Sequence, residues 1–99
     1  MLVVSDRGRV LRIPATEVLY LKAELKYVTL RTAEGEWVLD EALGDLEQRL
    51  GDAFLRVHRN ALVARRAVRS LTRHASQEEP LGWAVVLTNG EQLSFHAGS

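Results

Sequence analysis

The feature that most constrains this chain is its rhythm: short apolar runs, each closed by a turn signal, recur from end to end, and one segment departs from the pattern. Leu2-Val3-Val4 and Val10-Leu11-Arg12-Ile13 flank Asp6-Arg7-Gly8-Arg9, where Gly8 supplies the positive φ of a tight hairpin turn. Pro14-Ala15-Thr16-Glu17 interrupts as a single helical turn with Pro at its start. Strands are predicted at Val18-Leu19-Tyr20-Leu21 and Tyr27-Val28-Thr29-Leu30-Arg31, on either side of Lys22-Ala23-Glu24-Leu25-Lys26. Another follows at Trp37-Val38-Leu39, after a turn at Ala33-Glu34-Gly35-Glu36. Phe54-Leu55-Arg56-Val57-His58 alternates faces, which sets Arg56 and His58 on the same side, and residues 68–73 alternate as a half-buried strand. After a loop from Ala75 to Gly82, Trp83-Ala84-Val85-Val86-Leu87 and Glu91-Gln92-Leu93-Ser94-Phe95 flank Asn89-Gly90, a strong hairpin signal. Asn60-Ala61-Leu62-Val63-Ala64 fits either a strand or a helical turn capped by Asn60.

The departure is residues 41–50. Leu43, Leu46 and Leu50 fall at i, i+3 and i+7, Asp40 is a usable N-cap, Glu41 and Asp45 sit at the positive end of the dipole, and Gly51 suits the C-terminal turn. The acids point outward, so this helix packs rather than binds. The fold class is therefore mainly β, with short antiparallel sheets and one amphipathic helix over about residues 41–50. Tyr20, Trp37 and Trp83 read as core or half-core side chains.

Ninety-nine residues make one domain, 1–99. A chain of this length buries about 60–65% of its unfolded surface, enough for a single core. It contains no Cys, which excludes a disulfide scaffold, a thiol nucleophile, a Cys-based zinc site and an iron–sulfur cluster. No run of about 18 apolar residues is present and the first residues do not form a signal peptide, so a cytoplasmic protein with no membrane partner is expected. His58, His74 and His96 lack metal-ligand spacing, and no Gly-x-Ser-x-Gly, phosphate-binding glycine loop or His-Glu-x-x-His occurs. The expectation is a protein that is not an enzyme and takes no cofactor or metal.

Charge is where the chain stops being ordinary. The net charge is zero, yet between Glu34 and Asp52 lie seven acids against the single base Arg49. Between Arg56 and Arg73 lie six bases (Arg56, Arg59, Arg65, Arg66, Arg69, Arg73) and no acid. Such asymmetry points to nucleic acid. Eleven of the 13 bases are Arg, whose guanidinium can fork onto a phosphate or a guanine edge. A solvated basic face, or internal pairing of the two segments, explains the same composition.

Within the basic segment the sequence resembles a known family. An aromatic, then Arg, a hydrophobic residue, His, Arg, Ser or Asn, and a following Leu-Val mark the LytTR domain, the DNA-binding half of LytR/AlgR-type bacterial response regulators. Phe54, Arg56, Val57, His58, Arg59, Asn60, Leu62 and Val63 match that pattern. Glu17-Val18-Leu19-Tyr20-Leu21-Lys22-Ala23 is similar to the family's early strand, Lys26-Tyr27-Val28 to the residues after its loop, Leu43-Gly44-Asp45-Leu46-Glu47-Gln48-Arg49-Leu50 to its helix, and Val68-Arg69-Ser70-Leu71 to the next strand. The resemblance runs over residues 3–94 and is nearest the alginate-type regulator branch, which shares Asn-Ala-Leu-Val-Ala.

The resemblance implies an elongated stack of short antiparallel sheets with the helix alongside. It implies sequence-specific binding to double-stranded DNA, as the output domain of a two-component transcription regulator, by loops that enter successive grooves. Two copies on a direct repeat, a homodimer, and a receiver domain N-terminal in the full-length protein go with it. Lys26 and Tyr27 form the first contact region and His58, Arg59 and Asn60 the second, with Arg65 and Arg66 as phosphate contacts at most. In the third the family has Ser followed by Arg, where this chain has Ser94-Phe95-His96 and lacks the family's closing element. Weakened, less selective binding is expected from that departure, with self-association through residues 91–95 along an uncovered final strand.

Each candidate carries a bland reading. Arg59 is either a base or phosphate contact or a surface Arg paired to an acid; Asn60 reads an adenine edge or caps a turn; His58 orients the strand or touches DNA; Lys26 binds phosphate or is solvated. An alternative is a protein-interaction β-module docking an acidic partner through residues 56–73. An RNA-binding sheet would want a row of exposed aromatics, and the chain has only two Trp, two Tyr and two Phe.

Overall fold

The computed structural model describes residues 1–74 and 82–96, with the backbone alone for 73, 74, 82, 83, 95 and 96. Among them, ten strands form three antiparallel sheets, accompanied by one α-helix. Strands β1 (Leu2–Asp6) and β2 (Arg9–Ile13) are the first hairpin. Its two-residue turn has Arg7 at φ 52° and Gly8 at φ 82°, the doubly positive geometry whose twist matches paired strands. A 3-10 turn at Ala15–Glu17 follows Pro14, as the sequence predicts.

The central sheet has five strands in the order β5-β4-β3-β7-β6: β3 (Val18–Ala23), β4 (Val28–Thr32), β5 (Gly35–Leu39), β6 (Phe54–His58) and β7 (Ala61–Ala64). Helix α1 (Leu43–Leu50) packs across β3, β6 and β7, burying Leu43 and Leu46. The third sheet is β8 (Val68–His74), β9 (Gly82–Leu87) and β10 (Gln92–His96), in the order β10-β9-β8. Its final strand is an edge, as expected. The extents of 46 × 27 × 24 Å fit an elongated stack. One continuous core runs through Leu21, Leu30, Leu46, Leu62, Val63, Val85 and Leu87, all fully buried.

Several local expectations need correction. The helix starts at Leu43, and its N-cap is Ala42, not Asp40. Ala42 has extended dihedrals and offers no side-chain bond; its carbonyl accepts the Leu46 N–H at 3.1 Å. Glu41 instead pairs with Arg49. The turn after β4 is shorter than expected, because Gly35 and Glu36 already pair with Thr32 and Arg31. Asn60 caps no helix: Ala61–Ala64 is a strand buried along its whole length. Tyr27 precedes β4 rather than opening it. Gly82 opens β9, while most of the expected loop lies outside the described residues.

Arg56 and His58 do not share a face. A bulge lies between them, so that Arg56 pairs with Leu62 and His58 with Ala61. Neighbours on β7 point to opposite faces, and each carries its cross-strand partner with it.

Candidate nucleic-acid interface

Antiparallel pairing decides which loops meet. β3 ends at Ala23 beside the start of β4, and β7 begins at Ala61 opposite Lys22. Residues 24–27 and 58–60 therefore emerge from the same end of the central sheet. A backbone hydrogen bond ties the second to the end of β3, where the first begins: the Ala23 N–H donates to the Asn60 carbonyl at 2.7 Å. The first loop is closed by the Glu24 N–H on the Tyr27 carbonyl, also at 2.7 Å. At its tip Leu25 and Lys26 are exposed, and Tyr27 is 45% exposed. Its other flank is the crossing to α1, where Asp40, Glu41, Ala42 and Leu43 share a recess with residues 23–28.

The second region is a two-residue turn, Arg59-Asn60, held by side chains on both sides. His58 Nδ1 accepts the Asn60 N–H at 3.1 Å, so the half-buried ring presents a lone pair there and organises the turn. Arg56 works from the other face. Its Nε donates to the His58 carbonyl at 2.9 Å, its Nη2 donates to the Arg59 carbonyl, and its Nη1 pairs with Glu47 of α1. The Arg59 side chain forms no ion pair or hydrogen bond among the described residues and is exposed. Lys26 is likewise unneutralised among them. Two cations from loops far apart in sequence thus stand at one end without acids of their own, and Asn60 is exposed next to them.

Arg65 and Arg66 are elsewhere. They follow the far end of β7, in the 3-10 turn Arg65–Ala67. Arg65 Nε donates to the Asp52 carbonyl at 2.6 Å, and Arg66 Nη2 donates to the Val18 carbonyl at 2.8 Å. The six bases of residues 56–73 consequently form no single face: Arg56 pairs with Glu47, Arg65 and Arg66 bind backbone at the opposite end, and the Arg73 side chain lies outside the described residues. Internal pairing of the acidic and basic segments is real at Arg56–Glu47.

The third region lies on β10. Ser94 is exposed and pairs with Ala84, and the backbones of Phe95 and His96 continue the ladder to Trp83 and Gly82. The side chains of Phe95, His96 and Trp83 lie outside the described residues. Leu71 of β8 lines a recess with Leu55, Arg56, Val57, His58 and Arg59, which brings the third sheet alongside the second contact region.

Sequence reasoning missed Arg56 and Glu47. The family pattern includes Arg56, but its contacts leave no trace there, because they depend on a helix nine positions upstream. Among the described residues no three His, Asp or Glu gather as a metal site would need, and no helix is long and apolar enough to cross a membrane.

Comparison with known proteins agrees with the fold. The family model described as the LytTr DNA-binding domain matches residues 8–95. The positive alginate biosynthesis regulatory protein of Pseudomonas aeruginosa is 51% identical over 70 residues, which cover 71% of this chain and 26% of that protein. The CO-responsive transcriptional regulator RcoM of Rhodospirillum rubrum is 43% identical over 60 residues, covering 60% of this chain and 25% of that protein. The chain therefore spans about a quarter of the length of these curated relatives. Among solved structures, the LytTr DNA-binding domain of a Bacillus cereus response regulator superposes with a TM-score of 0.79 at 20% identity, over 96% of this chain and 84% of that one. The chain belongs to the LytTR family of DNA-binding domains.

Proposed function

We propose that this domain reads double-stranded DNA with residues 24–27 and the 58–60 turn inserted in the grooves, as the output unit of a two-component transcription regulator. The observation that carries the proposal is that the two loops leave the same end of the central sheet, where Ala23 bonds Asn60, with Lys26, Arg59 and Asn60 exposed there. Arg59 reads a guanine edge and Asn60 an adenine edge, because a fork and a carboxamide match those donor–acceptor patterns. Lys26 holds a phosphate, and Tyr27 packs beside it. His58 shapes the turn rather than touching DNA. Arg65 and Arg66, engaged with backbone at the opposite end, take no part in base reading. The printed names of the relatives, a regulatory protein and a transcriptional regulator, support the regulatory role. On this reading two copies bind a direct repeat, and a receiver domain precedes this one in the whole protein.

The test is selection of a preferred duplex, followed by titration of that duplex and a scrambled one. Arg59→Ala should lose about tenfold to a hundredfold on the preferred site, the worth of one bidentate base contact, and far less on the scrambled one. Arg66→Ala should leave the preference intact. Equal losses on both duplexes for Arg59→Ala would show that it grips phosphate and reads nothing.

A further inference from the structure

We propose that Arg56 is a positioning residue for DNA readout, locking the 58–60 turn to helix α1 through Glu47. The inference rests on the reading of that turn as a base-contacting element. Its ground is the guanidinium itself. Three of its N–H groups are used on three acceptors from two elements: the carbonyls of His58 and Arg59 in the turn and the carboxylate of Glu47 on α1. Both carbonyls belong to residues that frame the exposed Arg59 and Asn60 side chains. A planar fork fixes the direction of each carbonyl it holds. Fixing the carbonyls of His58 and Arg59 fixes the peptide planes around Arg59, and so the direction in which its side chain leaves the backbone. The opposite side is fixed too, since His58 Nδ1 accepts from Asn60 and the Asn60 carbonyl accepts from Ala23.

Stability does not account for this arrangement. The Arg56 and Glu47 side chains are 31% and 42% exposed, where an ion pair is screened and contributes little. Shape is what the contact supplies. A base-edge fork needs its side chain aimed well, and β6, as an edge strand, has a ladder partner on one side only. Anchoring the turn to a helix packed on the core holds it from a second side. Lys at this position would keep the charge and lose the fork.

The experiment uses the whole chain with Arg56→Lys, Glu47→Gln and Glu47→Ala, against the preferred and scrambled duplexes over a range of salt. Amide hydrogen exchange at Asn60 is followed without DNA. Arg56→Lys should melt like the parent, bind scrambled duplex as well, keep the salt slope, and lose about tenfold of its preference for the selected site. Asn60 exchange should quicken in the same variant. Glu47→Gln, which keeps an acceptor, should hold most of the preference, and Glu47→Ala should approach Arg56→Lys. If Arg56→Lys fails to fold, Glu47→Ala decides the matter with Arg56 in place. Unchanged preference together with unchanged Asn60 exchange would overturn the proposal. Equal loss on both duplexes with a shallower salt slope would also overturn it, by making Arg56 a phosphate contact. A parent chain that binds no duplex would defeat the functional reading while leaving the exchange result to judge the clamp.

Discussion

Tyr20 sits in the central sheet 6% exposed, and its hydroxyl donates to Glu91 Oε2 at 2.8 Å across a gap of 71 residues. Arg31 Nε donates to the other oxygen of the same carboxylate at 3.3 Å. One acid at the tip of the β9–β10 hairpin thus ties the third sheet to the central one. Burial first, then the hydrogen bond to Glu91 and the charges of Glu91 and Glu36, push the phenol above its ordinary value of 10.0. The folded protein keeps the proton where the unfolded chain has released it. The corresponding stability is whole below pH about 10 and falls as pH rises beyond it. Tyr20→Phe should cost about 1.5 kcal/mol at pH 7, the low end for a hydrogen bond to a charged acceptor, because Glu91 retains Arg31. It should also flatten the alkaline decline. Urea melts at pH 7 and pH 11 check both, and parallel decline in parent and variant would place the alkaline sensitivity elsewhere. The sequence marks Tyr20 as apolar core but is silent on Glu91, because contacts at such separation leave no local trace. The exposure of Arg59 has a local origin instead, since it stands in a two-residue turn between β6 and β7.

Elements whose two faces differ were legible, and elements with two equal faces were not. The first hairpin and the Asn89-Gly90 hairpin stand where turn chemistry and alternation agree. β7 is covered on both sides, with all four residues buried, so its apolar run has no period and fits helix or strand. The bulge in β6 likewise leaves no mark in an otherwise alternating segment, and it alone takes His58 off the face that Arg56 occupies. At α1, Leu43 and Leu46 fix the packing face while the start slips two residues past the expected N-cap, since Glu41 is held by Arg49 at 2.8 Å. That start has room for improvement. Ala42 is exposed, with the extended dihedrals of an N-cap and no oxygen to offer the first-turn N–H groups. Ala42→Ser should stabilise by about 0.5–2 kcal/mol, read as a rise of several degrees in the melting temperature. A smaller gain is expected in the first hairpin from Arg7→Asn, because Arg7 holds φ 52° and Asn tolerates that region better. If Ala42→Ser melts no higher than the parent, water already satisfies those groups as well as a hydroxyl would.

At the scale of the molecule, a net charge of zero and a polyanionic ligand are reconciled by where the charges stand. Glu47 is consumed by Arg56, Glu41 by Arg49 and Glu91 by Arg31, so three acids and three bases cancel in place. Arg65 and Arg66 are turned to backbone carbonyls. The cations facing outward at the end where the two loops emerge are Lys26 and Arg59, with Glu24 exposed in the same loop as Lys26. Few contacts of this kind predict a modest phosphate count rather than a broad electrostatic grip. Each neutralised phosphate contributes about −0.9 to the slope of log affinity against log salt. About one to two contacts then give a fall of about 3- to 12-fold between 50 and 200 mM salt. Lys26→Ala should bring that slope down by about one contact, while Arg65→Ala and Arg66→Ala should leave it where it was. Titration of one duplex across that salt range measures the slopes. A slope set by Arg65 and Arg66 instead would mean that DNA lies across the opposite end of the central sheet, and that the two loops face away from it.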